Sequence, residues 1–202
     1  MSRPPFAAGI TIALAIICGL VISQLFSQSA PHGTENTALE WLAEPRPIAD
    51  FTLTSHEGEV TAGAMRGHWQ LLVLGFTQCP DLCPTTLAEL SRLLTLAGDA
   101  QLRVFFVSVD PDRDSPAELA AYAAFFGDRI TGITGEQQQL RELANSMGMD
   151  FRHSGAGTSL RISHSPTIAL IGPNGYLRGR LRPGFDVHKA ALEIGAQIGT
   201  AS

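Results

Sequence analysis

The sequence predicts an α/β fold in which a central mixed sheet is covered by helices on both faces. Three observations carry this expectation. Leu71–Phe76 (LLVLGF) and Leu102–Val109 (LRVFFVSV) are nearly continuous apolar runs of strand length, the pattern of strands buried on both faces. Each run is followed by a segment of helical periodicity, and such alternation implies parallel strands joined by crossovers. Near the C-terminus, Thr167–Ile171 (TIALI) and Tyr176–Leu181 flank Gly172-Pro173-Asn174-Gly175, a turn that adds an antiparallel hairpin.

Taken from the N-terminus, the 202 residues divide into three stretches. Phe6–Phe26 runs twenty-one residues without a charge, enough to span a hydrocarbon core and longer than a usual secretory h-region. Residues 1–26 are therefore expected to form an N-terminal transmembrane helix that anchors the chain to the membrane. A cleaved signal peptide, cut after Ser29, is the competing reading. Arg3 precedes the run and the next basic residue is Arg46, so the positive-inside bias predicts an exported domain. Cys18 lies within the run as a small apolar residue, since Ala15-Ile16-Ile17 lacks the small residues of a lipoprotein site. Residues 27–47 read as a tether of mixed composition, with a short helical turn around Ala38–Leu42. A flexible tether of that length has a root-mean-square reach of roughly 25 Å. Residues 48–202 are expected to form the globular domain, long enough for one sizeable core.

Within that domain, Asp50–Thr54 alternates and Glu57-Gly58 turns it into Glu59–Thr61, a hairpin signal. The 69–76 strand then leads into Cys79-Pro80-Asp81-Leu82-Cys83-Pro84 and a helix over Thr85–Leu96, with leucines at 87, 90, 93 and 94. After the 102–109 strand comes Asp110-Pro111-Asp112-Arg113-Asp114. Ser115-Pro116-Ala117-Glu118 next opens a helix with a capping box and proline at its first position, and Gly127 ends it. Ile130–Ile133 reads as a short strand, Glu136–Met147 as a helix, Arg152–Gly155 as a glycine-bearing loop, and Phe185–Ile198 as a closing amphipathic helix. A strand, a two-cysteine turn, a helix, a crossover to a second strand and a proline-led hairpin together describe a thioredoxin-like sandwich.

The net charge is −5, with thirteen arginines and one lysine scattered without a basic stripe, which argues against a nucleic-acid partner. Two cysteines four apart in an exported domain are too few and too close for a disulfide scaffold. At the start of a helix they face unpaired N–H groups and the positive end of the dipole, which should lower a thiol pKa. Their spacing permits either a disulfide or a shared metal ion. Copper binding, thiol–disulfide exchange and a purely structural pair all remain open on these two residues. In a thioredoxin-like fold the loop before the proline-led strand packs on the two-cysteine turn, often through a cis-proline, which brings His164 beside the sulfurs. Two thiolates and an imidazole suit copper, whereas structural zinc would want a fourth ligand. His32, His56, His68 and His188 read as tether, turn or exposed residues, and His153 as a loop residue.

Phe76-Thr77-Gln78-Cys79-Pro80-Asp81-Leu82-Cys83-Pro84-Thr85-Thr86-Leu87, then Val107–Asp114 (VSVDPDRD), then His164, resemble the Sco/SenC family over residues 45–198. The resemblance implies a membrane-anchored, thioredoxin-like protein that binds copper through Cys79, Cys83 and His164. It implies a role in building the CuA centre of cytochrome c oxidase, by delivering copper, by reducing the target cysteines, or by both. The implied partners are the CuA-bearing oxidase subunit and an upstream copper donor. The implied location is a bacterial inner membrane, crossed once, with the domain in the periplasm. Asp110 would support the ligands from the end of its strand. One departure is Ser163, where the family usually has an aspartate before the histidine. A thiol–disulfide oxidoreductase without copper delivery is the alternative function.

Overall fold

The structure, a computed structural model, describes residues 38–98, 101–155 and 159–200, all within the compact unit Thr37–Ser202. Among the described residues ten strands and four α-helices follow in the order β1 (Glu40–Pro47), β2 (Thr52–Ser55), β3 (Gly58–Thr61), β4 (Trp69–Gly75), α1 (Leu82–Ala97), β5 (Leu102–Ser108), α2 (Pro116–Ala124) and β6 (Ile130–Ile133). The chain continues with α3 (Gln137–Ser146), β7 (Phe151–Ser154), β8 (Arg161–His164), β9 (Ile168–Ile171), β10 (Tyr176–Leu181) and α4 (Val187–Thr200). Six strands form one mixed sheet in the order β1-β10-β9-β4-β5-β6. β4, β5 and β6 are parallel, while β9, β10 and β1 add on antiparallel.

Side chains sort onto the two faces with the strand period of two. Leu71, Val73, Val104, Phe106, Ile168 and Leu170 join Leu87, Leu90, Leu93 and Leu94 of α1, Leu119 of α2 and Ile194 of α4 in one buried cluster. Leu72, Leu74, Phe105, Val107, Ala169 and Ile171 face the other way, against Leu140 and Leu143 of α3 and Phe51, Leu53 and Val60 of the β2–β3 hairpin. The sheet is thus covered on both faces, which is why its central strands read as unbroken apolar runs. Ser115 caps α2 as expected, with its side chain accepting from the Glu118 N–H and Glu118 reaching back to the Ser115 N–H.

Two segments differ from the sequence expectation. The tether and helical turn expected up to residue 47 give way, from Glu40, to an edge strand paired with β10. Leu39 is fully buried, Trp41 meets Trp69 edge-to-face at 6.4 Å, and Glu193 of α4 accepts from the Ala38 and Leu39 N–H groups. Pro45 and Pro47 lack the donor a central strand needs but are tolerated at an edge. The expected 152–155 loop is the first arm of a second hairpin, in which Phe151 opposes His164. No cis peptide bond occurs among the described residues, so the loop at Pro166 is built without one. No described helix is long and apolar enough to cross a membrane, and the 6–26 run with Cys18 and His32 lies outside the described residues.

Leu39 sits before β1 and fills the space beside Gly179, where an added Cβ would lie 3.5 Å from its Cγ. Replacing Leu39 by Ala is expected to cost about 3 kcal/mol and to lower Tm by roughly 6–12 °C. An unchanged thermal melt would show that this N-terminal segment does not belong to the domain core.

Candidate metal centre

The site begins where β4 and β5 end side by side, with Gly75 paired to Ser108. Beyond Gly75 the chain turns sharply, Cys79 N–H donating to the Phe76 carbonyl at 3.2 Å, before α1 starts at Leu82. Asp81 occupies the cap position without a side-chain capping bond. Instead the Cys79 sulfur accepts from the Cys83 N–H at 3.4 Å, satisfying a donor that the first helical turn leaves unpaired. Gly75 makes room for this arrangement, since a Cβ there would run into the Phe106 ring and come within 3.1 Å of Cys83 Sγ.

His164 arrives from the end of β8, its ring edge-to-face with Phe76 at 6.2 Å. Its Nδ1–H donates to the Ser165 carbonyl at 3.0 Å, which leaves the Nε2 lone pair facing Cys83 Sγ at 3.8 Å. Ser165 is itself pinned: its hydroxyl donates to Asp150 Oδ1 at 2.7 Å and accepts from the Asp150 N–H, and its own N–H donates to the Asp150 carbonyl. Ser163 is exposed and opposes Arg152 on the hairpin, so the orienting bond to His164 comes from Ser165.

The ligand atoms of Cys79, Cys83 and His164 all lie within 4.8 Å of one another. Donors bound at about 2.0–2.3 Å to one ion stand roughly 3.5–4 Å apart, so small shifts would close the group on a metal. Cys79 and His164 are half-buried and Cys83 is buried. Burial pushes the Cys83 thiol up to about 12, with the neighbouring Cys79 and Asp114 adding to the rise and the backbone at Phe76 opposing it. The helix terminus was expected to lower such a thiol, whereas Cys83 is raised, with burial the largest cause. Burial also lowers the His164 pKa, only partly offset by the Ser165 carbonyl, which favours the neutral ring a metal requires.

Asp110 reaches the site by a longer route than expected. Its buried carboxylate takes Arg113 Nε and a second guanidinium nitrogen at 2.6 Å each, and Arg113 in turn reaches Gln78 Oε1 at 3.3 Å. Sequence reasoning passed over Asp114, which is fully buried and accepts from Thr77 N–H, Thr77 Oγ1–H and Ser108 Oγ–H. The available signal was a third aspartate in a five-residue run following a buried strand. His153 is satisfied within the fold, meeting the Val109 carbonyl at 2.7 Å and Gln137 at 3.1 Å. His56 and His188 are exposed, and His68 is half-buried with Nδ1 enclosed, where the sequence suggested an exposed residue.

A thioredoxin-like domain with a Cys-Cys-His group able to hold a metal ion, beside the ends of its central strands, is thus defined by fold and site together. Residues 42–199 match the SCO1/SenC family model, and the chain belongs to that family. A Stutzerimonas stutzeri protein named for copper binding is 38% identical over 176 residues, covering 85% of each chain. The crystal structure of Arabidopsis thaliana ScoI with copper bound is similar with a TM-score of 0.69 and 25% identity, over 76% of this chain and 98% of that one. BsSco, described as a member of the Sco family of cytochrome c oxidase assembly proteins and as containing a disulfide switch, shares the fold with a TM-score of 0.59 and 22% identity, over 79% and 96% of the two chains.

Because Cys83 holds its proton well above neutrality, an ion that binds its sulfur must displace that proton. Apparent Cu(I) affinity is therefore expected to rise about tenfold per pH unit for each thiol proton released, from about pH 7 to 9. A flat profile in competition titrations would mean that Cys83 is not a ligand.

Proposed function

We propose that this protein is a membrane-anchored copper-binding assembly factor that serves the CuA centre of cytochrome c oxidase, delivering copper, reducing the target cysteines, or both. The observation that carries the reading is the convergence of Cys79, Cys83 and His164 donors within 4.8 Å. Soft thiolates with one imidazole suit copper in either oxidation state. A relative named for copper binding and a copper-bound structure of the same fold support the choice of ion. In this reading copper is cargo, received from an upstream donor and passed to the CuA-bearing subunit. The 6–26 run holds the chain in a bacterial inner membrane, crossing once, with the domain in the periplasm.

A second reading is thiol–disulfide exchange without copper delivery. It is favoured by two free thiols that face each other at the start of α1, where a short movement would join them. That chemistry needs no histidine, so His164 separates the readings. Anaerobic titration of the reduced full chain with Cu(I) against a competing chelator is expected to give one tightly held ion. His164→Ala is expected to weaken it by more than the roughly 10–100-fold that losing a group behind a ligand costs at a metal site. Weak binding indifferent to that substitution would move the assignment to thiol exchange. In cells lacking the protein, oxidase activity is expected to fall and to recover with added copper if delivery is the role. Recovery with a mild reductant alone would assign the reductase role instead.

A further inference from the structure

Asp114 is a fully buried carboxylate on neither a ligand nor a ligand-bearing element, yet three donors converge on it. Thr77 contributes both its N–H, at 2.9 Å to Oδ2, and its hydroxyl, at 2.5 Å to Oδ1. Ser108, the last residue of β5, adds its hydroxyl at 2.5 Å to Oδ2, and the same Ser108 oxygen accepts from the Asp110 N–H at 3.1 Å. Asp114 N–H closes the turn on the Asp110 carbonyl at 2.9 Å. A carboxylate presents acceptors only, so these bonds have fixed polarity and are charge-assisted, stronger than neutral ones. Thr77 lies two residues before Cys79, in the turn closed by Cys79 N–H and the Phe76 carbonyl. The carboxylate thus ties the turn after β4 to the end of β5, and the turn carries the more exposed of the two sulfurs.

We propose that Asp114 is a positioning residue for the metal centre, acting through Thr77 to hold the Phe76–Cys79 turn so that the Cys79 sulfur stays within reach of Cys83 and His164. The role rests on the metal-site reading above, but it also governs how readily the two sulfurs meet each other. The turn is therefore held by a threonine read by a buried aspartate, with the exposed Arg113–Gln78 contact at 3.3 Å as a weaker second tie.

Thr77→Val tests this in the full chain, because it keeps the side chain's shape and the backbone N–H while deleting one donor to Asp114. Ser108→Ala, which deletes a donor from the β5 side, is the companion should Thr77→Val fail to fold. Two quantities are measured beside thermal melts: Cu(I) affinity by chelator competition, and the equilibrium constant for Cys79–Cys83 disulfide formation in a glutathione buffer. Thr77→Val is expected to weaken Cu(I) binding about tenfold and to lower the disulfide constant severalfold, with Thr77→Ser restoring both. A lower melting temperature with both constants within about twofold of wild type would overturn the proposal and leave Asp114 as a fold buttress only. His164→Ala is run alongside. If wild type itself binds no Cu(I) tightly, the metal reading fails and the disulfide constant alone decides the role of Asp114.

Discussion

Everything at the site depends on the register of β4 against β5. The two parallel strands stop level, Gly75 beside Ser108, and Val109 N–H donates across to the Gly75 carbonyl. Two turns therefore leave the same edge of the sheet, one carrying the cysteines and the other the aspartates. A slip of one residue would exchange the faces of every side chain beyond it. Cys83 would then lose its place against the Phe106 ring, and Ser108 would point away from Asp114. The apolar packing on both faces, with Leu71 and Val73 on one and Leu72 and Leu74 on the other, is what forbids that slip.

Within this frame the two sulfurs have different surroundings. Cys83 lies on the inner side of α1 among leucines, where the cost of desolvating a thiolate exceeds what the backbone at Phe76 returns. Cys79 sits in the turn, half-exposed, with its sulfur serving as cap acceptor for Cys83 N–H. His164 is supplied by a separate hairpin whose own anchor is Asp150 acting on Ser165. Each donor thus comes from a different piece of structure: the Cys79 turn and the His164 hairpin are tied down by Asp114 and Asp150, and Cys83 is held by apolar packing.

Much of this was legible in the residues. The central strands, the capped α2 and the closing hairpin follow from apolar runs, a Ser-Pro-x-Glu signal and a Gly-Pro-Asn-Gly turn, all of which are local. The cysteine pair and His164 were legible because the fold class places the loop before β9 against the turn after β4. What escaped was non-local. β1 carries two prolines and a register irregularity between Trp41 and Arg46, and only pairing with β10 makes it a strand. The β7–β8 hairpin is recognisable once Phe151 is seen to oppose His164, which spacing alone does not reveal. Asp114 looked like one charge in a polar turn, and its burial depends on Thr77 and Ser108 arriving from other segments. The fall in thiol pKa expected from the helix terminus is not found at Cys83, because burial, a property of the whole fold, raises it.

The graded burial of the three donors has a consequence for traffic through the site. An ion held there would have a closed side, formed by Cys83 and the core behind it, and an open side at Cys79 and His164. Pro80, Asp81 and Leu82, next to the cysteines in the chain, and Pro166, two residues after His164, are all exposed. The two sulfurs are thus unequal in their access to solvent, Cys79 the more open and Cys83 the more enclosed.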